Sequence, residues 1–313
     1  MEIALNILLL LVGFVLLIKG ADFFVDGSSS VAKLIGIPGF VIGLTVVAMG
    51  TSAPEAAVSI TAGIQGSNEI AISNIIGSNV FNLLVVAGFC AVIKPYTIEK
   101  TMLKRDFPIN VALSVLLILL VFLGSGLSRL DGIILLAGII SYVAFVVISA
   151  MKNRETDSEE IKALSPLKSI LFIIGGLAAV ILGGQLVVDS ATFIATALGW
   201  SETFIGLTII AIGTSLPELV TSIVASRKGE SGLALGNVIG SNIFNLLFIL
   251  GLSSTTNPIP TDSSAIINTI ILFCITATVY VVCALKKGMG RIFGSICVAG
   301  YVGYTAYLLM TTI

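Results

Sequence analysis

The sequence predicts an all-α polytopic membrane protein, with ten transmembrane helices in two inverted five-helix repeats and broken helices 2, 3, 7 and 8 around a polar site at the bilayer midplane. Three observations carry that expectation. Of 313 residues, 57% are hydrophobic and 11% charged, far from the composition of soluble domains. The apolar residues run in stretches of the roughly 20 residues that a helix needs to cross a bilayer, not in the short alternating segments of a β-barrel. Finally, one polar phrase, GTSAPE at Gly50 to Glu55, returns as GTSLPE at Gly213 to Glu218, 163 residues later.

Taken in order, the apolar stretches lie near 3–33, 38–65, 70–93, 107–124, 130–151, 167–198, 203–226, 231–253, 263–285 and 291–311. The first, from Met1, could pass for a secretory leader. Its only early charge is Glu2, however, and no basic leader or small-residue cleavage site stands out, so it reads as a spanning helix. With the amino terminus outside, the loops that fall inside carry all but two of the 16 basic residues, namely all but Lys19 and Arg129. The positive-inside rule therefore selects this orientation, with both termini outside. The polar segment MKNRETDSEEIKALS, Met151 to Ser165, separates the fifth and sixth stretches and is too short to build a core, so it reads as a cytoplasmic connector. The domain organisation is thus a first repeat over 1–151, a linker over 152–166 and a second, inverted repeat over 167–313. Cys90, Cys274, Cys283 and Cys297 lie in apolar helices without metal-type spacing and read as buried thiols.

The 163-residue offset extends beyond the motif. Gly20, Asp26, Gly43, Leu44 and Thr45 map onto Gly183, Asp189, Gly206, Leu207 and Thr208, and IIGSNVFNLL maps onto VIGSNIFNLL. Because each half holds an odd number of helices, the halves enter the membrane from opposite sides, an arrangement common in secondary transporters. Close packing explains glycines such as Gly77 and Gly240. It gives no reason for Glu55 and Glu218, two carboxylates that interrupt apolar stretches where water is scarce and a cation, a proton or a partner is needed.

In each motif a proline precedes the glutamate, so the carbonyl of Gly50 or Gly213 loses its helical N–H and the helix should loosen there. Unwound backbone is tolerable in a membrane where it lines a cavity or meets a cation. Thr51, Ser52, Thr214 and Ser215 add hydroxyl or main-chain oxygens, and Asn82 and Asn245 add amide oxygens. This inventory is all oxygen, with no His in the chain and no Cys nearby. It suits hard cations: calcium takes roughly six to eight oxygens in adaptable geometry, whereas zinc or copper would recruit nitrogen or sulfur. Two carboxylates neutralise one divalent ion, and the same oxygens could hold several sodium ions instead, so that competition would couple the two fluxes.

Carrying these paired GTSxPE and GSNxFN segments over its whole length, the chain resembles the calcium/cation antiporter superfamily, specifically a prokaryotic sodium/calcium exchanger. The resemblance implies that Glu55 and Glu218 are the central calcium ligands, completed by the carbonyls of Thr51 and Thr214. It implies sodium sites built from the carbonyls of Ala48 and Ala211 with the hydroxyls of Ser52, Ser78, Ser215 and Ser241, with Asn82 and Asn245 lining the centre. Potassium-dependent relatives carry an acid at the position of Asn245, so the amide here implies potassium independence. The implied activity is secondary active, electrogenic exchange of sodium for calcium by alternating access, driven by membrane voltage at roughly 2.3 kcal/mol per charge per 100 mV. Helices one and six would slide across a core of helices two, three, seven and eight, with Gly20, Gly27, Gly183 and Gly184 permitting close contact. The expected location is a prokaryotic plasma membrane, with calcium, sodium and the lipid bilayer as partners, no cofactor, no protein partner and no nucleic acid.

A proton/calcium antiporter stays open, because a desolvated Glu can carry a proton, although the absence of His counts against it. A cation channel usually builds its carboxylate ring by rotational symmetry about a pore, and an enzyme is disfavoured by the lack of HExxH or GxSxG. Asp22, Asp26 and Asp189 are expected to satisfy neighbouring backbone and, for Asp22, to offset Lys19 one turn away.

Overall fold

Long apolar stretches become long helices here because a backbone in hydrocarbon has no water to bond and must close its own ladder. The computed structural model describes residues 2–66, 68–123, 126–152, 163–200, 205, 209, 211–260 and 263–312. In the first half, α1 (Glu2–Ile35) leads to a bent element made of α2 (Gly39–Ile42), a π-turn (Gly43–Val47), α3 (Ala48–Thr51) and α4 (Ala53–Ile64). Next come α5 (Asn68–Phe81), a π-turn (Asn82–Val86) and α6 (Ala87–Ile93), then the short α7 (Lys100–Lys104), α8 (Asp106–Leu123) and α9 (Arg129–Lys152). The second half runs α10 (Pro166–Ala197), α11 (Ala211–Thr214), α12 (Leu216–Lys228), α13 (Ser231–Phe244), a π-turn (Asn245–Ile249), α14 (Leu250–Thr256), α15 (Ser263–Lys286) and α16 (Arg291–Thr312).

Among the described residues, eight helices are long and apolar enough to span a membrane, and the bent Gly39–Ile64 element makes a ninth. The start of the expected seventh span, including Gly206, Leu207 and Thr208, lies outside the described residues, as does the linker over 153–162. Four two-residue strands were not legible from hydropathy. Strand β1 (Tyr96–Thr97) pairs antiparallel with β4 (Gly288–Met289), and β2 (Gly126–Leu127) with β3 (Ile259–Pro260), so loops of one half are tied to loops of the other.

Proline decides where the helices break. Pro54 sits in the first turn of α4, the preceding Ser52 leaves helical geometry at φ −80°, ψ 11°, and the element bends by 50°. The described part of helix seven repeats this, with Pro217 in the first turn of α12 and Ser215 at φ −93°, ψ 7°. The expectation that helices three and eight are also broken is not met: Ile70–Ile93 and Ser231–Thr256 each run through as one helix. They contain no proline, and the chain widens by a single π-turn beginning at Asn82 or Asn245 instead of opening.

These two continuous helices are the core. Over an 18-residue apolar stretch of each, 83% and 94% are buried, against 17–33% for the other long spanning helices among the described residues. The motif helices α4 and α12 pack against them, and α1 and α10 lie along one another outside. A methyl group on Gly20 would stand 2.8 Å from the Gly176 carbonyl oxygen, and one on Gly183 would stand 2.7 Å from that of Gly13. The paired numbers run in opposite directions, so α1 and α10 are antiparallel and their backbones approach as closely as small residues allow. Gly27 joins this contact, with Ser169 O 2.7 Å from such a methyl. Gly184 makes no such backbone approach: a methyl there would stand 3.6 Å from Pro217 Cγ and 3.9 Å from the Leu17 side chain of α1. Of the four cysteines, Cys90, Cys283 and Cys297 are buried as expected, whereas Cys274 is exposed on α15, an apolar thiol on an outward helix face.

Candidate cation site

The site is assembled at the two breaks. Each break turns a serine out of its own helix, and the serine reaches the glutamate of the other half. Ser52 donates its hydroxyl to Glu218 Oε1 at 2.8 Å, and Ser215 donates to Glu55 Oε1 at 2.8 Å. Glu55 and Glu218 are 1% and 0% exposed. Each has Oε2 buried without a hydrogen-bond partner among the described residues. The carboxylates lie near enough to act on each other electrostatically, with Ser78 beside Glu55 and Ser241 beside Glu218.

Asparagines close the site from the core helices. The π-turn at Asn245 packs against α4, which carries Glu55, and the one at Asn82 packs against α12, which carries Glu218. Asn82 donates Nδ2 to Asn242 Oδ1 at 3.2 Å and Asn245 donates to Asn79 Oδ1 at 3.0 Å, leaving the Oδ1 of both Asn82 and Asn245 without a partner among the described residues. Ser241 Oγ and Thr214 Oγ1 are likewise buried and unpartnered among those residues.

Of the twelve residues expected from sequence, Glu55, Glu218, Ser52, Ser215, Ser78, Ser241, Asn82 and Asn245 are therefore drawn to one place. Thr51 and Ala48 are fully buried on the same turn. The Thr51 hydroxyl lies 3.1 Å from Val47 O and 3.0 Å from Asn237 Oδ1, so its proton is engaged in those contacts. The Ala48 carbonyl accepts Ser52 N–H at 3.0 Å, and the Ile212 carbonyl accepts Ser215 N–H at 3.2 Å.

Sequence reasoning missed Asn79, Asn237 and Asn242. Asn237 holds Ser222 at 3.0 Å just as Asn74 holds Ser59 at 2.9 Å. The available signal was the spacing: in each GSNxFN the two asparagines stand one helical turn apart and share a face. The acids on α1 also differ from expectation. Asp22 and Asp26 pair with Lys228, at 3.4 and 2.7 Å, and not with Lys19, because the end of α12 brings a cation that lies far away in sequence. Asp189 is exposed.

Among the described residues no group of three or more His, Cys, Asp or Glu could hold a metal. What the centre offers is two carboxylate, two amide and several hydroxyl oxygens, buried and lacking donors. That donor set attracts hard cations and holds them reversibly, without the soft ligands that trap transition metals. Together with the spanning helices, it defines a multi-pass membrane cation transporter.

Comparison with known proteins narrows this class. The family model for sodium/calcium exchanger protein matches residues 5–151 and 168–310. The chain is 38% identical to a putative antiporter, CaxA, of Alkalimonas amylolytica, covering 96% of this chain and 98% of that protein. It is 35% identical to the sodium/calcium exchanger MaX1 of Methanosarcina acetivorans over 82% of this chain and 85% of that protein. Among solved structures it superposes on the sodium–calcium exchanger NCX_Mj, soaked with sodium and calcium, with a TM-score of 0.86 and 34% identity, covering 96% of this chain and 98% of that one. The chain belongs to the sodium/calcium exchanger family, a family of transporters and not of enzymes.

Proposed function

We propose that this chain exchanges sodium for calcium across a membrane by alternating access at the Glu55–Glu218 site. The observation that carries the reading is the crossed pair of hydrogen bonds, Ser52 to Glu218 and Ser215 to Glu55, with the outer oxygen of each carboxylate left bare among the described residues. Each half supplies one acid, and the other half orients it, so one cation between them is bound by both halves at once. Calcium would take both carboxylates with the Thr51 and Thr214 carbonyls. Sodium ions would use the same acids with Ser52, Ser78, Ser215, Ser241 and the carbonyls of Ala48 and Ala211, while Asn82 and Asn245 line the centre. Shared ligands make the two occupancies exclusive, which is the physical basis of exchange.

Asn245 leaves the site with only two formal negative charges, which favours potassium independence and an electrogenic cycle. The antiparallel, glycine-lined contact of α1 with α10 supports an inverted ten-helix arrangement in which these helices slide. The basic loops support a plasma membrane orientation with both termini outside.

The deciding experiment is radiolabelled calcium uptake into proteoliposomes preloaded with sodium, with the sodium, potassium and proton gradients varied separately. Saturable uptake driven by the outward sodium gradient alone, and accelerated by an interior-positive potential because each cycle then carries net positive charge out of the vesicle, is the expected result. Uptake driven only by protons would replace the sodium reading, and flux that needs no counter-gradient would mark a channel.

A further inference from the structure

Two side chains that need not touch an ion decide which atoms the site presents. An asparagine amide is ambiguous: turned over, it exchanges an oxygen that attracts a cation for an N–H2 that repels one. Here the ambiguity is removed by the backbone. Asn79 donates Nδ2 to the main-chain carbonyl of Asn242 at 3.3 Å, and a carbonyl only accepts. The Oδ1 of Asn79 must then point to Asn245, whose Nδ2 lies 3.0 Å away, and Asn245 in turn must direct its own Oδ1 away from that contact. The other half repeats the chain. Asn242 donates Nδ2 to the Asn79 carbonyl at 3.4 Å, and its Oδ1 accepts from Asn82 Nδ2 at 3.2 Å. All four residues are at most 1% exposed, so bulk water offers no substitute partner.

We propose that Asn79 and Asn242 are positioning residues that set the donor–acceptor polarity of the cation site, each holding the amide of the other half with its oxygen toward the ion. The proposal rests on the exchange reading above. A rigid carbonyl starts each relay and a bare oxygen ends it, so the centre shows acceptors only. Because the relays cross between halves, each half's amide ligand is aimed by the other half.

The test is calcium KM and kcat in proteoliposomes, with calcium titration calorimetry on the purified protein. Asn79→Leu keeps the approximate volume but frees the Asn245 amide to turn over; KM for calcium should rise about tenfold or more while kcat changes little. Asn245→Ala should raise KM by itself, and adding Asn79→Leu to it should cost nothing further, because the relay acts only through Asn245. Asn79→Asp retains an acceptor toward Asn245 and should leave KM at or below the wild-type value; it carries the test if Asn79→Leu does not fold. An unchanged KM in Asn79→Leu, an additive double variant, or a tenfold weaker Asn79→Asp overturns the relay. Failure of the exchange reading looks different, since the wild type itself then shows no sodium-coupled calcium flux.

Discussion

At its centre the molecule repeats its serine–glutamate and asparagine–asparagine bonds in both halves, and one layer outward the likeness is lost. Both serine–glutamate bonds measure 2.8 Å, and the asparagine bonds pair off as 3.0 with 3.2 Å and 3.3 with 3.4 Å. On the flanking helices α8 and α15, which pack together, the positions 163 residues apart are unlike: Asp106, Asn110 and Ser114 correspond to Thr269, Phe273 and Ala277. Asp106 is wholly buried, takes Arg105 through Nε at 2.8 Å and Nη2 at 3.1 Å, and accepts the Tyr142 hydroxyl at 3.0 Å. Thr269 only returns its hydroxyl to the Ala265 carbonyl of its own helix, at 2.7 Å. The difference teaches where likeness is required. Two halves that present ligands to one ion, as proposed here, must offer matching atoms, whereas a buried charge away from that centre needs only a local partner.

The sharpest way to break this comparison is at the acids. Glu55→Gln and Glu218→Gln should each lower sodium-driven calcium uptake by on the order of 100-fold, since removing a ligand costs at least as much as removing its outer support. If one is tolerated and the other is not, the centre is not functionally symmetric. Next in size is the buried charge on α8. Asp106→Leu strands Arg105 and the Tyr142 hydroxyl in the interior and should destabilise the protein by about 3–5 kcal/mol, whereas Thr269→Val should cost about 1 kcal/mol or less. Thermal unfolding in detergent measures both, and equal losses would erase the distinction.

Adjacent glycines on α10 give a smaller contrast. Gly176→Ala would push a methyl to 2.7 Å from the Gly20 carbonyl oxygen and should cost about 1–3 kcal/mol and slow uptake. Gly175→Ala meets nothing within 4 Å and should be neutral or stabilising by up to about 1 kcal/mol. If both variants transport like wild type, close contact of α1 with α10 is not what the glycines serve. Smallest is Lys228→Met: its bonds to Asp22 and Asp26 lie at a part-exposed surface, so stability should fall by less than about 1 kcal/mol.

Helix placement was legible because helicity in hydrocarbon is a local necessity. Each apolar stretch must satisfy its own backbone, so α1, expected over 3–33, is found at Glu2–Ile35, and α9, expected over 130–151, at Arg129–Lys152. The breaks at Ser52 and Ser215 were legible for a similar reason, since a proline removes its N–H wherever the chain goes. The π-turns at Asn82 and Asn245 were not, because no residue type commands them. Glu55 and Glu218 announced themselves as charges without water.

What the sequence by itself determined was therefore the placement of the spanning helices found among the described residues, the two breaks and the oxygen-rich donor set, all consequences of local chemistry in a medium that forgives no unbonded polar group. The tertiary structure alone decided partners: that Ser52 serves Glu218 and not Glu55, that Lys228 answers Asp22 and Asp26, and that Asn79 aims Asn245. Those choices depend on which helix faces which across the packed core, a matter of distances between residues that hydropathy and spacing do not encode.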